Sequence, residues 1–379
     1  MELFIDEEYE PLRELVRDFA EREIAPGAGT RDETEEHDEE LFHRMADIGL
    51  TGILAPEEYG GSGMDLVANC IVIEEISKAC AATGADISIH TALASWVLCN
   101  YGTEEQKKIW LTALAEGKYL GSFALTEPEA GSDIAGIKTT AIKDGDEYVL
   151  NGTKVFTSNA GPAGVYIVFA KTNPSERETG MSTFLVEKGT PGFTIGKPIK
   201  KLGIRAHTVA GLQFNNCRVK VENRIGAEGA GYLIASTALQ SGRLGMSAQA
   251  IGLAQAAFSA AKEYVTQRRQ FGTPLSEFQS MRFKFSEMAT RIEAARLMVY
   301  QAAWLAKNGK PFAEASSMAK ILASTTATYV TSEALQIFGG NGFTRDYPVE
   351  RMMRDAKITQ IYTGTVEMQH VLISDQIFV

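Results

Sequence analysis

The feature that most constrains the fold is a change of hydrophobic period along the chain. Residues 1–120 carry helical repeats, such as the apolar stripe of Leu12, Leu15 and Phe19. Residues 121–228 contain short β-rich runs separated by turn dipeptides such as Asp144-Gly145. Long helical repeats return at 231–267, 278–308, 312–338 and 347–379. The pattern predicts an α+β protein with an N-terminal α domain (1–120), a middle antiparallel β domain (121–228) and a C-terminal four-helix bundle (229–379).

Composition excludes several classes of partner. A net charge of −11 argues against nucleic acid and anionic membranes, since both attract clustered Lys and Arg. No apolar run is long enough for a membrane span, and the acidic N-terminal sequence does not resemble a signal peptide. The four cysteines are dispersed and the five histidines lack ligand spacing, so we expect reduced thiols and no metal site. A cytoplasmic protein is expected.

One short polar segment interrupts the last helical repeat. The run QIYTGTVEMQ at 360–369 places Gly364 between Thr363 and Thr365. Glycine tolerates backbone angles that β-branched residues resist, so this triplet favours a turn. We therefore predict two helices that meet at an elbow.

Motifs spread over nearly the whole chain resemble one enzyme family. They are LTEPEAGSD at 125–133, RRQFG at 268–272, QIFGGNGF at 336–343, YPVERMMRDAKI at 347–358 and IYTGT at 361–365. Any one of them is weak alone, but together they are specific. The chain resembles the acyl-CoA dehydrogenase family, with a short-chain, butyryl-type pattern. This resemblance implies FAD as cofactor, an acyl-CoA thioester as substrate, an electron-transfer flavoprotein as acceptor, and a homotetramer.

The same resemblance implies the binding residues. No GxGxxG follows a strand, so a Rossmann-type site is not supported. The residues implied for FAD are Phe123, Leu125, Thr126, Gly131, Ser132, Phe156, Ser158, Arg268, Gln270, Phe271, Gln279, Gln336, Gly339, Gly340, Thr365 and Glu367. The residues implied for the substrate are Thr91, Ser132, Leu239, Arg243, Tyr362 and Gly364, with Ile89 and Leu93 beside the acyl group.

The expected catalytic base is missing. The family carries a glutamate at the position of Thr363, and some members carry it instead at the position of Gly242. A threonine hydroxyl has too high a pKa to remove the α-proton without an activating base. Asp86 and His90, four residues apart on one predicted helical face, are weaker candidates. They are equally well interpreted as a hydrogen-bonded pair on a buried helix.

Three explanations of the missing base stay open. The chain could be an engineered knockout. It also resembles the alicyclic members that act on cyclohex-1-ene-1-carboxyl-CoA by 1,4-elimination, which use an aspartate where this chain has Thr91. The small residues Ala92, Ala94 and Gly242 favour a ring-shaped substrate. The third explanation is a non-dehydrogenating flavin enzyme, a monooxygenase or desulfinase, or an inert CoA-thioester binder.

Overall fold

The N-terminal region is a cluster of helices. The computed structural model describes residues 7–378, so residues 1–6 and 379 of the predicted terminal domains lie outside the described residues. The N-terminal helices are α1 (Glu10–Phe19), α2 (Ala28–Thr34), α3 (Glu39–Asp47), α4 (Leu66–Ala79), α5 (Ala81–Ile89), α6 (Trp96–Tyr101), α7 (Glu104–Gln106) and α8 (Thr112–Ala115). A π-helical turn, His90–Ser95, joins α5 to α6, so that the three segments form one continuous helical run.

The middle region is a twisted sheet. Its strands are β1 (Gly121–Ala124), β2 (Thr140–Asp144), β3 (Glu147–Ser158), β4 (Val165–Lys171), β5 (Met181–Glu187), β6 (Phe193–Ile195), β7 (Val209–Lys220) and β8 (Arg224–Ile225). They follow the order β6-β7-β3-β2-β4-β5-β8, with β1 paired to β4. Most pairs are antiparallel, as predicted, but β4 has two parallel neighbours: β1, with Gly121 opposite Val165, and β2, with Thr140 opposite Lys171. The prediction of a purely antiparallel sheet is therefore corrected. Strand β1, which follows the N-terminal helices, lies alongside β4.

The C-terminal region is again helical, and it packs against the first region. A short hairpin of β9 (Arg269–Gln270) and β10 (Thr273–Pro274) interrupts the helices. The helices are α9 (Gly231–Gln267), α10 (Gln279–Lys307), α11 (Ala313–Phe338), α12 (Val349–Ile358) and α13 (Val366–Ile377). At the crossing of α4 and α9, a Cβ on Gly252 would lie 2.2 Å from the carbonyl oxygen of Glu74, so only glycine permits this approach.

The adjacent carboxylates Glu74 and Glu75 of α4 are buried. The two residues are 2% and 3% exposed. Glu74 accepts hydrogen bonds from Arg296 Nε at 3.0 Å and Tyr300 Oη at 2.7 Å. Glu75 accepts one from Lys78 at 2.8 Å. Since buried carboxylates need such partners, Glu74 connects α4 to the C-terminal helices, while Glu75 is held within the N-terminal ones.

A loop of the middle region reaches both helical regions. Ile204 is buried at a positive φ of 41°, and its amide donates to the buried carboxylate of Asp355 in α12. In the same loop, the side chain of Arg205 pairs with Glu35. Burial raises the pKa of Asp355 to about 6, from an ordinary value of 3.8.

The raised pKa of Asp355 predicts that its ionised form destabilises the folded chain at high pH, and that Asp355→Asn removes this destabilisation. Because Asp355 holds its proton more tightly in the folded chain, its contribution to stability is complete below pH 4 and is lost as the pH rises through 6. Asp355→Asn keeps an acceptor for Ile204. We expect it to raise the free energy of unfolding by about 1–3 kcal/mol at pH 8 and by much less at pH 4. Urea unfolding at both pH values measures this, and an equal effect at the two would contradict it.

Among residues 7–378, no helix is both long and apolar enough to cross a membrane. The same residues contain no group of three or more His, Cys, Asp or Glu side chains placed to hold a metal ion.

Candidate active site

The predicted elbow lies between α12 and α13. Helix α12 ends at Ile358, and α13 begins at Val366 with Thr365 as its N-cap, whose hydroxyl accepts from the amide of Met368 at 3.3 Å. Thr363 and Gly364 have positive φ values of 56° and 90°. The ammonium of Lys320, in α11, donates to the carbonyls of Tyr362 and Gly364. A lysine from a distant helix therefore fixes the backbone on both sides of Thr363.

The two positions expected for a base meet in space. A Cβ built on Gly242 would lie 3.2 Å from Cγ2 of Thr363 and 2.7 Å from Cδ2 of Leu93. Gly242 belongs to α9, Leu93 to the π turn and Thr363 to the elbow, so three segments converge on this point. The side chains at this point are those of a glycine, a leucine and a threonine. None can accept a proton from a carbon acid at neutral pH.

Asp86 and His90 do not pair with each other, and the predicted hydrogen bond between them is wrong. The carboxylate of Asp86 contacts Nδ1 of His37 at 3.0 Å and Nδ1 of His207 at 2.6 Å. His90 Nδ1 accepts from the amide of Gly121 at 2.9 Å. The two side chains thus face different neighbours although they share a helix.

The surroundings of His90 also argue against a role as a general acid or base. Its ring is fully buried and lies edge-on to Phe42, with centroids 5.6 Å apart. Burial lowers the pKa of His90 to about 4. His90 is therefore neutral at physiological pH, and its hydrogen bond with Gly121 joins the N-terminal helices to β1.

The other small residues of the pocket helix are packing residues. Thr91 Oγ1 donates to the carbonyl of Ile87 at 2.9 Å. The methyl group of Ala92 faces Gly245 of α9, and that of Ala94 faces Gly121. They permit close approach of α9 and β1 and do not enlarge an acyl pocket, which removes two of the three residues that favoured a ring-shaped substrate. Leu93 and Ile89 instead belong to an apolar cluster that includes Leu125 and the edge residues Leu239 and Tyr362.

The hydroxyl of Tyr362 has a hydrogen-bond partner, whereas Nε of Arg243 has none. The hydroxyl of Tyr362 donates to Gln249, whose amide donates in turn to the carbonyl of Ala81 at 2.7 Å. Burial raises the pKa of Tyr362 well above its ordinary value. Arg243 is 7% exposed, and its Nε is buried without a hydrogen-bond partner. Burial lowers its pKa to about 10.

The residues implied for the flavin ring lie in β1, in the loop that follows it and at the end of β3. Phe123 and Leu125 are buried, Thr126 and Ser158 are partly buried, and Gly131 and Ser132 are exposed. Phe156 is 66% exposed at a positive φ of 52°, next to a register shift between β3 and β7. A Cβ on Gly131 would meet no atom within 4 Å. An exposed aromatic beside open, polar backbone fits a planar ring system with hydrogen-bonding edges.

A buried ion pair joins β3 to the loop that follows β1. Lys154 is fully buried in β3, and its ammonium donates to Glu127 at 2.7 Å and to the carbonyl of Leu125 at 3.0 Å. Glu127 also accepts from the amides of Lys138 and Thr139. The carbonyl of Thr126 accepts from Val155. Lys154, Glu127 and Lys320 are not among the residues predicted from the sequence, although Glu127 lies inside the LTEPEAGSD motif.

The remaining residues implied for FAD are exposed to solvent. They are Arg268, Gln270, Phe271, Gln279, Gln336, Gly339, Gly340 and Glu367, with Thr365 partly buried at the N-cap of α13. Phe271 is 95% exposed at the tip of the β9–β10 hairpin. Cβ atoms on Gly339 and Gly340 would meet nothing within 4 Å. A cation, amides and open glycine backbone fit a diphosphate, and their exposure leaves them available to a ligand shared with another chain.

Comparisons with known proteins agree with this geometry. The N-terminal, middle and C-terminal domain models of acyl-CoA dehydrogenase match residues 6–118, 122–217 and 229–378. The short-chain-specific acyl-CoA dehydrogenase of Clostridium acetobutylicum is 46% identical, with full coverage of both chains. The solved butyryl-CoA dehydrogenase of Megasphaera elsdenii is 43% identical at a TM-score of 0.98, also with full coverage of both.

A third relative is a chain of the solved electron transferring flavoprotein of Acidaminococcus fermentans. It is 44% identical at a TM-score of 0.98, over 100% of this chain and 99% of its own. Solved structures with this fold include complexes with FAD. Three domain models in the expected order and identity above 40% over the whole length leave no ambiguity of class. The chain belongs to the acyl-CoA dehydrogenase family, whose members are FAD-dependent oxidoreductases.

Proposed function

We propose that this chain is an acyl-CoA oxidoreductase that holds a short or cyclic acyl group near Leu93, Gly242 and Thr363 and has no carboxylate base of its own there. The observation that carries the proposal is the convergence of Thr363 with Gly242: the Cβ position of one lies 3.2 Å from the methyl of the other. Both positions expected for a base are neutral. In this proposal the site binds and positions the acyl thioester but lacks the usual proton acceptor.

The residues of the site have distinct tasks in this proposal. Ile89, Leu93 and Leu125 form an apolar wall that excludes water from the acyl group. Phe156 and the backbone near Thr126 orient the flavin ring. FAD, when bound, supplies the hydride acceptor. Thr363 can donate or accept a hydrogen bond but cannot hold an α-proton, so 1,2-dehydrogenation of a saturated thioester is expected to be slow.

Cyclohex-1-ene-1-carboxyl-CoA is the specific cyclic substrate that we propose. Its 1,4-elimination removes a proton further along the ring, so a glutamate at the elbow is not required. Since Thr91 stands where the alicyclic members carry an aspartate, the proton would pass to water, and turnover is expected to be slow. The neutral pair Thr363 and Gly242 supports this assignment, together with the resemblance to alicyclic members. A homotetramer that delivers electrons to an electron-transfer flavoprotein in the cytoplasm is part of the same proposal. The exposed FAD-binding set and the unpaired cysteines support it.

A non-dehydrogenating role is the second candidate. It is favoured by the contacts of Asp86 and His90, since both side chains are engaged away from the elbow. A monooxygenase, a desulfinase or a CoA-thioester binder with little turnover needs no α-proton base. Oxygen consumption coupled to a hydroxylated product would distinguish the first of these from a dehydrogenase.

Anaerobic mixing of the FAD-loaded chain with acyl-CoA thioesters tests the proposal. We expect both butyryl-CoA and cyclohex-1-ene-1-carboxyl-CoA to perturb the flavin spectrum, and the cyclic thioester to bleach it faster than butyryl-CoA, with a cyclic dienoyl-CoA as product by mass spectrometry. Spectral change without bleaching by either thioester would favour the binder. A chain that takes up no FAD, or FAD-loaded protein that no thioester perturbs, would contradict the proposal.

A further inference from the structure

The end of strand β3 has an unusual backbone. Phe156 and Asn159 both have positive φ values, of 52° and 60°. Asparagine tolerates this left-handed region, whereas a bulky residue such as phenylalanine adopts it rarely. The pairing of β3 with β7 also shifts register between Lys154 and Thr157, so Phe156 lies at an irregularity of the sheet. Such strained conformations persist where the surrounding structure fixes them, and they are concentrated at ligand sites.

The side chain of Asn159 attaches this strand end to two other elements. It is 1% exposed, and its amide nitrogen donates to the carbonyl of Asp86 in α5 at 3.1 Å and to the carbonyl of Gly121 in β1 at 3.0 Å. Because both partners are carbonyl oxygens, which accept and do not donate, the nitrogen of the amide must face them. Asn159 therefore fixes the end of β3 against the N-terminal helices and against β1.

A hydrogen bond from β1 holds the preceding residue. Ser122 is buried, and its hydroxyl donates to the carbonyl of Ser158 at 2.7 Å. The side chain of Ser158 is partly buried, and Phe156 is 66% exposed. The segment 156–159 is thus held from the interior, while the side chains of Phe156 and Ser158 remain accessible to a ligand.

The α5 residue that Asn159 binds is itself held by distant partners. The carboxylate of Asp86 contacts Nδ1 of His37 at 3.0 Å and Nδ1 of His207 at 2.6 Å. His207 follows the loop residue Ile204, whose amide donates to Asp355 of α12. The carbonyl that accepts from Asn159 therefore belongs to a residue fixed by contacts with the N-terminal and middle regions.

We propose that Asn159 is a positioning residue for the flavin ring. Its two hydrogen bonds hold the segment 156–159 in the conformation that presents Phe156 and Ser158 to the ring, and Ser122 acts in the same way through the carbonyl of Ser158. This inference rests on the proposed function, which places the flavin ring at Phe156. Asn159 and Ser122 act through the backbone of β3 and do not contact the cofactor.

Titration of the apoprotein with FAD tests the inference. Asn159→Gly keeps a residue that suits a φ of 60° and removes both side-chain hydrogen bonds. Because the segment is then no longer preorganised, we expect the Kd for FAD, measured by flavin fluorescence, to rise at least about tenfold. We also expect a shift in the midpoint potential of the bound flavin, since the ring contacts change.

Asn216→Gly is the matched control. Asn216, in β7, also has a positive φ, of 50°, but it is exposed and its side chain contacts Asn151 and Asn215. This variant should keep the wild-type Kd and midpoint potential. An equal rise in Kd for Asn216→Gly would overturn the inference. So would an Asn159→Gly protein that unfolds at lower urea but retains the wild-type Kd and midpoint potential, because a merely structural role predicts that result.

Ser122→Ala covers the case in which Asn159→Gly does not fold. It removes one hydroxyl and leaves the backbone pairing of β1 with β4 unchanged. We expect its Kd for FAD to rise about threefold, since one hydrogen bond is lost, with a smaller shift in midpoint potential. Wild-type values of both quantities in Ser122→Ala would overturn the inference.

Phe156→Ala separates failure of this inference from failure of the proposed function. If Phe156→Ala changes the Kd and the midpoint potential while Asn159→Gly and Ser122→Ala change neither, the flavin ring lies at Phe156 and the inference alone fails. If Phe156→Ala also changes neither, or if the wild type takes up no FAD, the placement of the ring in the proposed function fails together with the inference.

Discussion

Replacement of Thr363 by glutamate should create 1,2-dehydrogenation of a saturated acyl-CoA. The elbow backbone is fixed by Lys320 and by the N-cap of α13, so a carboxylate at 363 would point toward the same space as the threonine methyl. A positioned general base contributes about 10²–10⁴ in rate. Bleaching of the flavin by butyryl-CoA under anaerobic conditions, followed in a stopped-flow instrument, should accelerate by at least about 10².

Two controls separate charge from shape in this experiment. Thr363→Gln should leave bleaching at the wild-type rate, since an amide cannot accept the proton. Gly242→Glu should also fail, because its Cβ would lie 2.7 Å from Leu93. The double variant Gly242→Glu/Leu93→Ala should recover part of the activity. A folded, FAD-loaded Thr363→Glu protein without faster bleaching would show that the elbow does not face the substrate.

Removal of the Lys154 ammonium should both destabilise the chain and release FAD. Lys154→Met leaves Glu127 as an unpaired carboxylate, 6% exposed, in the loop implied for the flavin ring. Breaking a buried pair on one side costs about 3–5 kcal/mol. The carbonyl of Leu125 also loses its donor. We expect a lower free energy of unfolding in urea and a fall in the ratio of FAD to protein after gel filtration.

The double variant Lys154→Met/Glu127→Leu is the control for this prediction. It removes both charges, so most of the stability should return. FAD retention should return less completely, since the amides of Lys138 and Thr139 would also lose their acceptor. Stability and FAD content at wild-type levels in the single variant would show that the ion pair does not support the flavin loop.

Local signals predicted most of the framework. Hydrophobic period separated the helices from the strands, and the Thr-Gly-Thr triplet predicted the elbow because its backbone preference depends only on neighbouring residues. The parallel pairing of β1 with β4 was missed, since period alone does not give strand direction. The motif pattern predicted the family and its cofactor, which the comparisons confirmed, while the roles of single residues remain predictions.

Long-range partners could not be predicted in the same way. Asp86 was expected to face His90, four residues away, but it binds His37 and His207, which are 49 and 121 residues distant. Helical spacing places two residues on one side of a helix without deciding which neighbours approach that side. The hold of Lys320 on the elbow spans more than 40 residues and has no local signal at all.

The left-handed backbone conformation of Thr363 is relevant to why a threonine occupies this position. At φ 56° a β-branched residue is among the least comfortable choices, and glycine or asparagine would suit the turn better. If the expected glutamate had been replaced at random, many other residues would fit this backbone conformation with less strain. Threonine is therefore poorly explained as a relic of lost catalysis. It is better explained as a compact neutral group that leaves room for a ligand beside Gly242 and Leu93.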